Sequence, residues 1–282
     1  MISQRLRFAL CNEVLGGMDF EAQCAYAAAV GYDGLELAPY TVSAAPHRLP
    51  AAGRARLRRA AAGAGLAITG LHWLLVTPPG LSITSPDAAV RARTVDVMRG
   101  LVELCADLGG RYLVHGSPAQ RAVGEGEDVT AALGRARECW AAAGEVAGAA
   151  GVVYCIEPLS RTATRVVNTV EEAVAVVREI GHPALRAMLD TSAAATTEPE
   201  PVADVLERWL PKGVLGHVQV NDRNRRGPGQ GDDRFAPVLA ALLRHRYDGD
   251  VGVEPFDYHP DGRAAAARAI GYLRGLLEAL QP

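Results

Sequence analysis

The stretch VVYCIEPLSRTATRVVNTVEEAVAVVREIGHPALRAMLD, residues 152–190, contains one complete strand–helix unit and the strand that follows it. Two short apolar runs, residues 152–157 and 185–190, have the length of buried strands. Between them, residues 169–180 repeat apolar side chains at helical spacing, begin at the cap residue Thr169 and stop at a Gly-His-Pro sequence. A strand, a helix and a second strand in this order are typical of a parallel sheet.

The same unit recurs along the whole chain, with Asp19 and Asp128 as further helix caps. The other predicted strands are 7–11, 34–38, 67–75, 111–116, 215–220 and 250–255, and the other predicted helices are 19–30, 50–63, 87–108, 128–149, 201–209, 233–245 and 262–280. Eight units without a linker-like stretch predict one α/β domain over residues 1–282, a single (β/α)8 TIM barrel. A doubly wound open sheet is the alternative, but no GxGxxG motif follows the first strand.

Composition excludes several classes of partner. The 282 residues carry a formal net charge of −3, which gives no electrostatic footprint for nucleic acid. No apolar run reaches the roughly 18 residues of a membrane span, and the N-terminus lacks the apolar core and cleavage site of a signal peptide. Five widely spaced cysteines without a CxxC motif are typical of reduced thiols. We therefore expect a cytoplasmic protein.

The strand ends carry an ordered set of oxygen ligands. In a TIM barrel the active site lies at the carboxyl ends of the strands, where Glu157, Asp190 and Glu254 end the fifth, sixth and eighth predicted strands. Gln219 fills the equivalent place in the seventh. One such carboxylate alone is commonly a helix cap or an ion-pair partner. Four polar residues, each about one repeat apart, indicate a single constructed site instead.

Three carboxylates at one point repel one another unless a cation holds them. The side-chain carbonyl of Gln219 is a neutral oxygen ligand, so the set predicts one divalent ion bound by Glu157, Asp190, Gln219 and Glu254. Oxygen ligands favour Mn²⁺ or Mg²⁺ over Zn²⁺, with Co²⁺ as a third option. Four protein ligands leave about two octahedral positions for neighbouring oxygens of a substrate.

Other polar or aromatic side chains near the strand ends are candidates for substrate binding. They are Glu36, His72, Trp73, His115 and His217. His217 lies two residues before Gln219 and therefore faces the same side of its strand. For each of them a structural hydrogen bond, or core packing in the case of Trp73, is the alternative interpretation.

Several motifs resemble those of the sugar phosphate isomerase/epimerase superfamily, the xylose isomerase-like (β/α)8 barrels. In chain order they are GLELAPY (34–40), GLHWLL (70–75), GSPAQR (116–121), IEPL (156–159), MLDTS (188–192), HVQVNDRNRRGPGQG (217–231) and VEPF (253–256). IEPL, the Leu-Asp of the sixth strand, the run from His217 and VEPF are the strongest, and each fragment alone is weak. Together they cover nearly the whole chain.

The resemblance implies roles for individual residues. In the ketose 3-epimerases of this superfamily, strands five to eight supply Glu, Asp, His and Glu to one divalent ion, which matches Glu157, Asp190, Gln219 and Glu254 here. The two glutamates would be the catalytic acid and base on opposite faces of a carbohydrate-like small molecule. Arg225 matches a substrate-binding arginine, and His217 matches the first histidine of an HxH motif.

The sequence departs from the ketose 3-epimerase pattern at three positions. Gln219 replaces the metal-binding histidine, although hydroxypyruvate isomerases of the same superfamily are similar here, with glutamine in an HVQxxD run. Ala163 and Ala193 stand where the epimerases carry a substrate-contacting glutamate and histidine. The resemblance therefore implies a metal-dependent isomerase or epimerase acting on a keto-sugar, a polyol-derived ketone or a small hydroxy-ketone, rather than on a common ketose.

Two other functions stay open. A metal-dependent lyase could eliminate the substituent of a 3-keto-glycoside through the same enediolate chemistry. A barrel that binds a sugar without catalysis is a second alternative, with Gln219 as the mark of a decayed site. The AP-endonuclease branch would require more histidines and a basic DNA-facing surface than this chain offers. By analogy with other barrels, we also expect a homo-oligomer.

Overall fold

A computed structural model describes residues 5–280, and within this range eight parallel strands close into a barrel. The strands are β1 (Arg7–Cys11), β2 (Gly34–Leu37), β3 (Ala67–Leu71), β4 (Tyr112–His115), β5 (Val153–Ile156), β6 (Leu185–Asp190), β7 (Leu215–Val220) and β8 (Asp250–Val253). Each strand pairs with its neighbour in chain order, and β8 pairs with β1. The predicted TIM barrel is confirmed.

Helices follow the strands and cover the outside of the barrel. They are α1 (Phe20–Val30), α2 (Ala51–Gly63), α3 (Ala88–Leu108), α4 (Val129–Ala150), α5 (Val170–Ile180), α6 (Thr191–Thr197), α7 (Val202–Trp209), α8 (Ala236–Arg244) and α9 (Gly262–Leu280). Asp19, Asp128 and Thr169 accept hydrogen bonds from backbone amides in the first turns of α1, α4 and α5. These three predicted caps are confirmed.

Two local features differ from the sequence prediction. The third strand ends at Leu71 rather than at residue 75, because Trp73 has a φ of 51° that no strand accommodates. The short helix α6 was not predicted. It begins directly after β6 with Asp190 as its cap, and its sequence, TSAAATT, carries no apolar period of its own.

The core consists of the inward side chains of the helices and the side chains of the strands. All five cysteines lie in this buried interior as free thiols. Among residues 5–280, no helix combines the length and the apolar character that crossing a membrane requires.

Candidate active site

A cavity of about 620 Å³ opens at the carboxyl ends of the strands. Its wall includes the residue that ends or directly follows each of five strands, from β3 to β6 and β8: His72, Gly116, Glu157, Asp190 and Glu254. The barrel thus brings together three of the four predicted metal ligands from distant parts of the sequence. This is the end of the barrel at which TIM-barrel enzymes carry their active sites.

Glu157 lies across the end of the neighbouring strand. Its amide donates to the carbonyl of His115 at 3.3 Å, and its carboxylate occupies the space above Gly116. A Cβ at Gly116 would overlap with Glu157 Oε2, so only glycine permits this approach. Burial, reinforced by the charges of Glu254 and Asp190, raises the pKa of Glu157 well above its usual value.

Asp190 is at once the last residue of β6 and the cap of α6. Its Oδ1 accepts a hydrogen bond from the Ala193 amide at 2.7 Å, which fixes the direction of the carboxylate. Its Oδ2 is buried without a hydrogen-bond partner. Burial raises the pKa of Asp190 to about 7, in spite of the donors at the start of α6 that favour the carboxylate.

Gln219 stands at the level of Asp190, since the two residues are register partners on β6 and β7. It is completely buried and does not belong to the described cavity wall. Its Nε2 donates to Glu36 Oε1 at 2.8 Å, while its Oε1 has no hydrogen-bond partner. On β8, a Cβ at Gly252 would lie 2.9 Å from Gln219 Cγ and 2.5 Å from Glu36 Oε2, so a larger residue there would displace these side chains.

Two buried acceptors without partners are the feature that fits a cation. Asp190 Oδ2 and Gln219 Oε1 are both oxygen atoms, and an unpaired buried acceptor is costly unless a ligand satisfies it. The neighbouring carboxyl groups of Glu157 and Glu254 carry raised pKa values because burial disfavours their charge. A hard divalent ion would satisfy both needs, so the residues fit the predicted ligand set.

A second group of potential ligand atoms lies beside the first. One atom each from Cys11, Glu13, His72 and Glu254 lies within 4.8 Å of the others. Both nitrogens of His72 are already engaged, Nε2 with Glu13 Oε2 at 2.9 Å and Nδ1 with Glu254 Oε1 at 2.8 Å. Burial raises the pKa of the Cys11 thiol, which keeps it protonated. We therefore interpret this group as a hydrogen-bonded support for Glu254.

Within this support, the pKa values of His72 and Glu254 are both raised, but for different reasons. Burial alone would lower the pKa of His72, but its interactions with Cys11 and Glu13 outweigh burial and raise the pKa well above its usual value. Glu254 shows the opposite balance, because burial raises its pKa to about 8 against the hydrogen bond from His72. Glu254, His72 and Glu13 thus form a hydrogen-bonded chain that begins at the cavity. It ends in the 3-10 turn Asn12–Leu15, which contains Glu13.

Three predicted substrate contacts lie outside the described cavity wall and are completely buried: Glu36, His115 and His217. His115 Nδ1 is hydrogen-bonded to the Tyr154 hydroxyl at 2.9 Å and to Trp140 Nε1 at 3.1 Å. Burial lowers the pKa of His115 to about 3, so the imidazole is neutral. Its contacts are those of a structural hydrogen bond, the alternative that the sequence left open.

Glu36 and His217 belong to one network inside the barrel. Glu36 Oε2 accepts from the Tyr112 hydroxyl at 2.9 Å and lies 3.0 Å from His217 Nε2. The rings of Tyr112 and His217 stack with centroids 3.9 Å apart. Burial opposes the charge of Glu36, but His217 and the Tyr112 hydrogen bond outweigh it and lower the pKa of the carboxyl.

Trp73 and Arg225 line the cavity, as predicted substrate contacts should. Phe256 lies between them: its ring meets Trp73 edge-on at 6.2 Å, and the Arg225 guanidinium lies 5.5 Å from its centroid. The backbone holds Arg225 in place, since its carbonyl accepts from the amides of Phe256 and Asp257 at 2.8 Å each. Ala163 and Ala193 form another part of the wall, where their methyl groups offer no polar contact.

Three further residues, without a role predicted from the sequence, shape the site. Glu13 carries the far end of the His72 hydrogen-bond chain, and Phe256 forms the aromatic wall. Arg121, in the 3-10 turn Ala119–Arg121, is completely buried and donates from Nη2 to the Glu157 carbonyl at 2.6 Å. Burial lowers the pKa of Arg121 to about 10, and it stays a cation beside the carboxylates. Phe256 belongs to the VEPF motif and Arg121 to the GSPAQR motif, so the sequence offered a signal for these two residues.

The comparisons with known proteins agree with the barrel fold. Residues 24–276 match the family model described as xylose isomerase-like TIM barrel. The chain is 28% identical over 181 residues to a D-psicose 3-epimerase of Ruminiclostridium cellulolyticum, covering 62% of this chain and 59% of the relative. It is 29% identical over 195 residues to an L-ribulose 3-epimerase of Mesorhizobium japonicum, covering 69% and 63%. The matches thus span less than two thirds of these curated relatives.

Solved structures extend the likeness to the whole barrel. A D-psicose 3-epimerase crystallised in the presence of D-fructose superposes with a TM-score of 0.81 at 22% identity, over 96% of this chain and 99% of the other. A 3-keto-D-glucoside 4-epimerase from E. coli gives 0.82 at 19% identity, over 96% and 100%. At such identities the superpositions show the fold alone. The family model covers most of the sequence, and the chain therefore belongs to the xylose isomerase-like TIM barrel family.

Proposed function

We propose that this protein is a divalent-metal-dependent isomerase or epimerase of a keto-sugar or a related small hydroxy-ketone. The observation that carries the proposal is the convergence of three buried carboxylates with two buried acceptor oxygens, on Asp190 and Gln219, that have no partner. The activities for which the relatives are named, 3-epimerisation of psicose and of ribulose, support the same reaction class.

Glu157, Asp190, Gln219 and Glu254 would hold the ion, with Mn²⁺ or Mg²⁺ preferred for their oxygen atoms. When bound, a divalent ion would polarise the carbonyl and the neighbouring hydroxyl of the substrate and stabilise an enediolate. The two glutamates come from β5 and β8, so they approach the cavity from different sides. Such a pair is suited to exchange a proton with a carbon atom placed between them.

Each glutamate has a distinct support for proton transfer. Glu254 is hydrogen-bonded to His72, which is hydrogen-bonded to Glu13, and this chain fixes the direction of the carboxylate. Glu157 is held by its backbone, through the Arg121 guanidinium and the His115 carbonyl. Arg225 offers donors to a substrate oxygen, and Trp73 offers a flat apolar face to a sugar ring.

The direct test is solvent exchange at carbon. The protein is incubated in D₂O with Mn²⁺ or Mg²⁺ and a panel of psicose, ribulose, fructose, tagatose and hydroxypyruvate, and deuterium at the carbon beside the carbonyl is followed by NMR. We expect exchange that a chelator abolishes and added metal restores. Exchange that a chelator leaves unchanged would contradict the metal site, and metal binding without exchange would favour the non-catalytic sugar-binding barrel.

The size of the cavity favours a second candidate, a lyase acting on 3-keto-glycosides. A free hexose has about twelve heavy atoms, which need at most roughly 360 Å³ even at the ~30 Å³ that one water occupies in the liquid. The cavity of about 620 Å³ leaves room for a second ring beside the small side chains of Ala163 and Ala193. Product analysis separates the two functions, because a lyase releases the substituent and an epimerase changes only stereochemistry.

A further inference from the structure

The amide group of a glutamine must be oriented before it can bind a metal ion, whereas either oxygen of a carboxylate can bind one. The amide group carries one acceptor oxygen and one NH₂ donor of nearly the same shape, and only the oxygen can bind a cation. A glutamine at a metal site therefore needs a partner that fixes which atom points to the ion. In the buried interior of the barrel, that partner has to be another side chain.

Glu36 on β2 meets this requirement for Gln219 on β7. The distance from Gln219 Nε2 to Glu36 Oε1 is 2.8 Å, and both residues are completely buried. An ionised carboxylate only accepts hydrogen bonds. If the amide were reversed, two acceptor oxygens would face each other at this distance without a proton between them. The other neighbour of Nε2, Cys11 Sγ at 3.9 Å, is too weak a partner to set the direction.

Glu36 is itself held on its other oxygen. The Tyr112 hydroxyl donates to Glu36 Oε2 at 2.9 Å, and His217 Nε2 lies 3.0 Å from the same atom. Glycine at position 252 leaves the space in which Glu36 Oε2 and Gln219 Cγ approach β8. The carboxylate is thus fixed on one side by two rings, and on the other side it presents a single acceptor to Gln219.

We propose that Glu36 is a positioning residue, which holds the Gln219 amide so that Oε1 faces the metal site. The inference rests on the proposed function, because it assigns Gln219 as a ligand. It gives Glu36 a role distinct from the substrate contact that the sequence predicted. It also explains why Gln219 Oε1, alone among the polar atoms of this pair, is left without a partner.

The first measurement is independent of any metal. In the metal-free protein, the side-chain amide of Gln219 is identified by the ¹⁵N signal that the variant Q219A loses. We expect this signal to show slow exchange with solvent and a downfield shift in the native protein and in Y112F. That substitution removes a partner of the other Glu36 oxygen and a hydrogen bond to Thr69, and leaves the Gln219–Glu36 contact in place. Rapid exchange in the native protein would overturn the proposed orientation, whatever the metal does.

The second measurement is Mn²⁺ affinity, by calorimetry and by the EPR signal of the bound ion. We expect E36L to weaken binding about 10- to 100-fold, the usual effect of losing a partner that orients a ligand, and Y112F to change it less than about threefold. In the Q219A background, E36L should have no further effect. Additive losses in the double variant, or native affinity in a folded E36L, would overturn the role of Glu36.

A double variant that exchanges the residue types at positions 36 and 219 tests the proposal even if E36L does not fold. In E36Q/Q219E the donor and the acceptor change places at unchanged net charge, so the amide at position 36 would donate to the carboxylate at position 219 and leave one carboxylate oxygen free. We expect Mn²⁺ affinity within about tenfold of native, whereas Q219E alone brings two buried carboxylates together and loses thermal stability in the metal-free state. A native protein that shows the protected amide but binds no Mn²⁺ would contradict the proposed function, and with it the ligand role.

Discussion

The carboxylates at the two ends of the barrel differ in their partners. At the amino ends of the strands, Asp250 pairs with Arg7 and Arg111, and Asp33 pairs with Arg5 and Arg274. At the carboxyl ends, Glu157, Asp190 and Glu254 form no side-chain ion pair with arginine or lysine within residues 5–280. Carboxylates neutralised by arginine stabilise the fold, whereas carboxylates without an arginine or lysine partner are available to a ligand.

The largest difference between the two ends of the barrel should appear when one carboxylate at each end is neutralised. E254Q removes a proton carrier in contact with the cavity, so we expect solvent deuterium exchange into the substrate to fall by about 10³-fold or more. D250N is the matched control and should leave the exchange rate within about twofold of native. Exchange measured by NMR, with circular dichroism to verify the fold, decides the outcome. Native exchange in E254Q would remove Glu254 from the mechanism.

The second prediction concerns the dependence of stability on pH in the metal-free protein. Folding raises the pKa of Asp190 to about 7 and of Glu254 to about 8, well above the values near 4 of unfolded chains. A raised acid contributes stability that is full below the unfolded pKa and is lost as pH rises through the folded pKa. The free energy of unfolding should therefore fall by a few kcal/mol between pH 4.5 and pH 8.5.

Metal should reverse this loss, because the carboxylates bind a cation only when they are deprotonated. At a metal concentration of 100 times Kd, we expect about 2.7 kcal/mol of added stability at pH 8 and much less at pH 5. Urea unfolding with chelator and with Mn²⁺ measures both effects. The double variant D190N/E254Q is the control and should reduce the pH dependence, leaving the part that Glu157 contributes. A metal-free native protein that is more stable at pH 8 than at pH 5 would contradict the assignment.

Sequence alone predicted the barrel because each strand and helix carries its own local signal. The alternation of short apolar runs with capped helices needs no long-range information, and the strand ends then follow in register. The helix α6 escaped prediction because its seven residues have no apolar period, and its cap, Asp190, was already interpreted as a strand end and ligand. The structure shows that one residue has both positions, since Asp190 ends β6 and also caps α6.

The supporting contacts of the candidate site could not be predicted in the same way. His72 meets Glu13 and Glu254 across 59 and 182 residues of sequence, and Gln219 meets Glu36 across 183. Such contacts depend on the relative height of side chains on non-adjacent strands, which a one-dimensional pattern does not contain. For the same reason, Glu36, His115 and His217 could be placed at strand ends from the sequence but not assigned to the wall or to the interior.

At the amino end of the barrel, the effect of a substitution should appear in stability alone. The Asp250 side chain is only 4% exposed and is the carboxylate that pairs with both Arg7 and Arg111. D250N therefore leaves these two guanidinium groups without a charged partner. Both arginines retain access to water, which limits the loss to about 1–2 kcal/mol. Urea unfolding should show this loss equally with and without Mn²⁺. A loss confined to the metal-bound form would mean that the two ends of the barrel are coupled.

The smallest expected effect compares one arginine at each end. Arg225 lines the cavity, and its guanidinium stacks on Phe256 without a carboxylate partner among the described residues, so R225K keeps the charge but loses the planar fork. We expect KM for the substrate found by deuterium exchange to rise about tenfold, with kcat within about threefold and stability within about 0.5 kcal/mol of native. R111K at the other end should show the reverse, a small loss of stability with unchanged KM. If R225K lowers kcat and leaves KM unchanged, Arg225 acts in the transition state rather than in substrate binding, because only an interaction absent from the ground state has that signature.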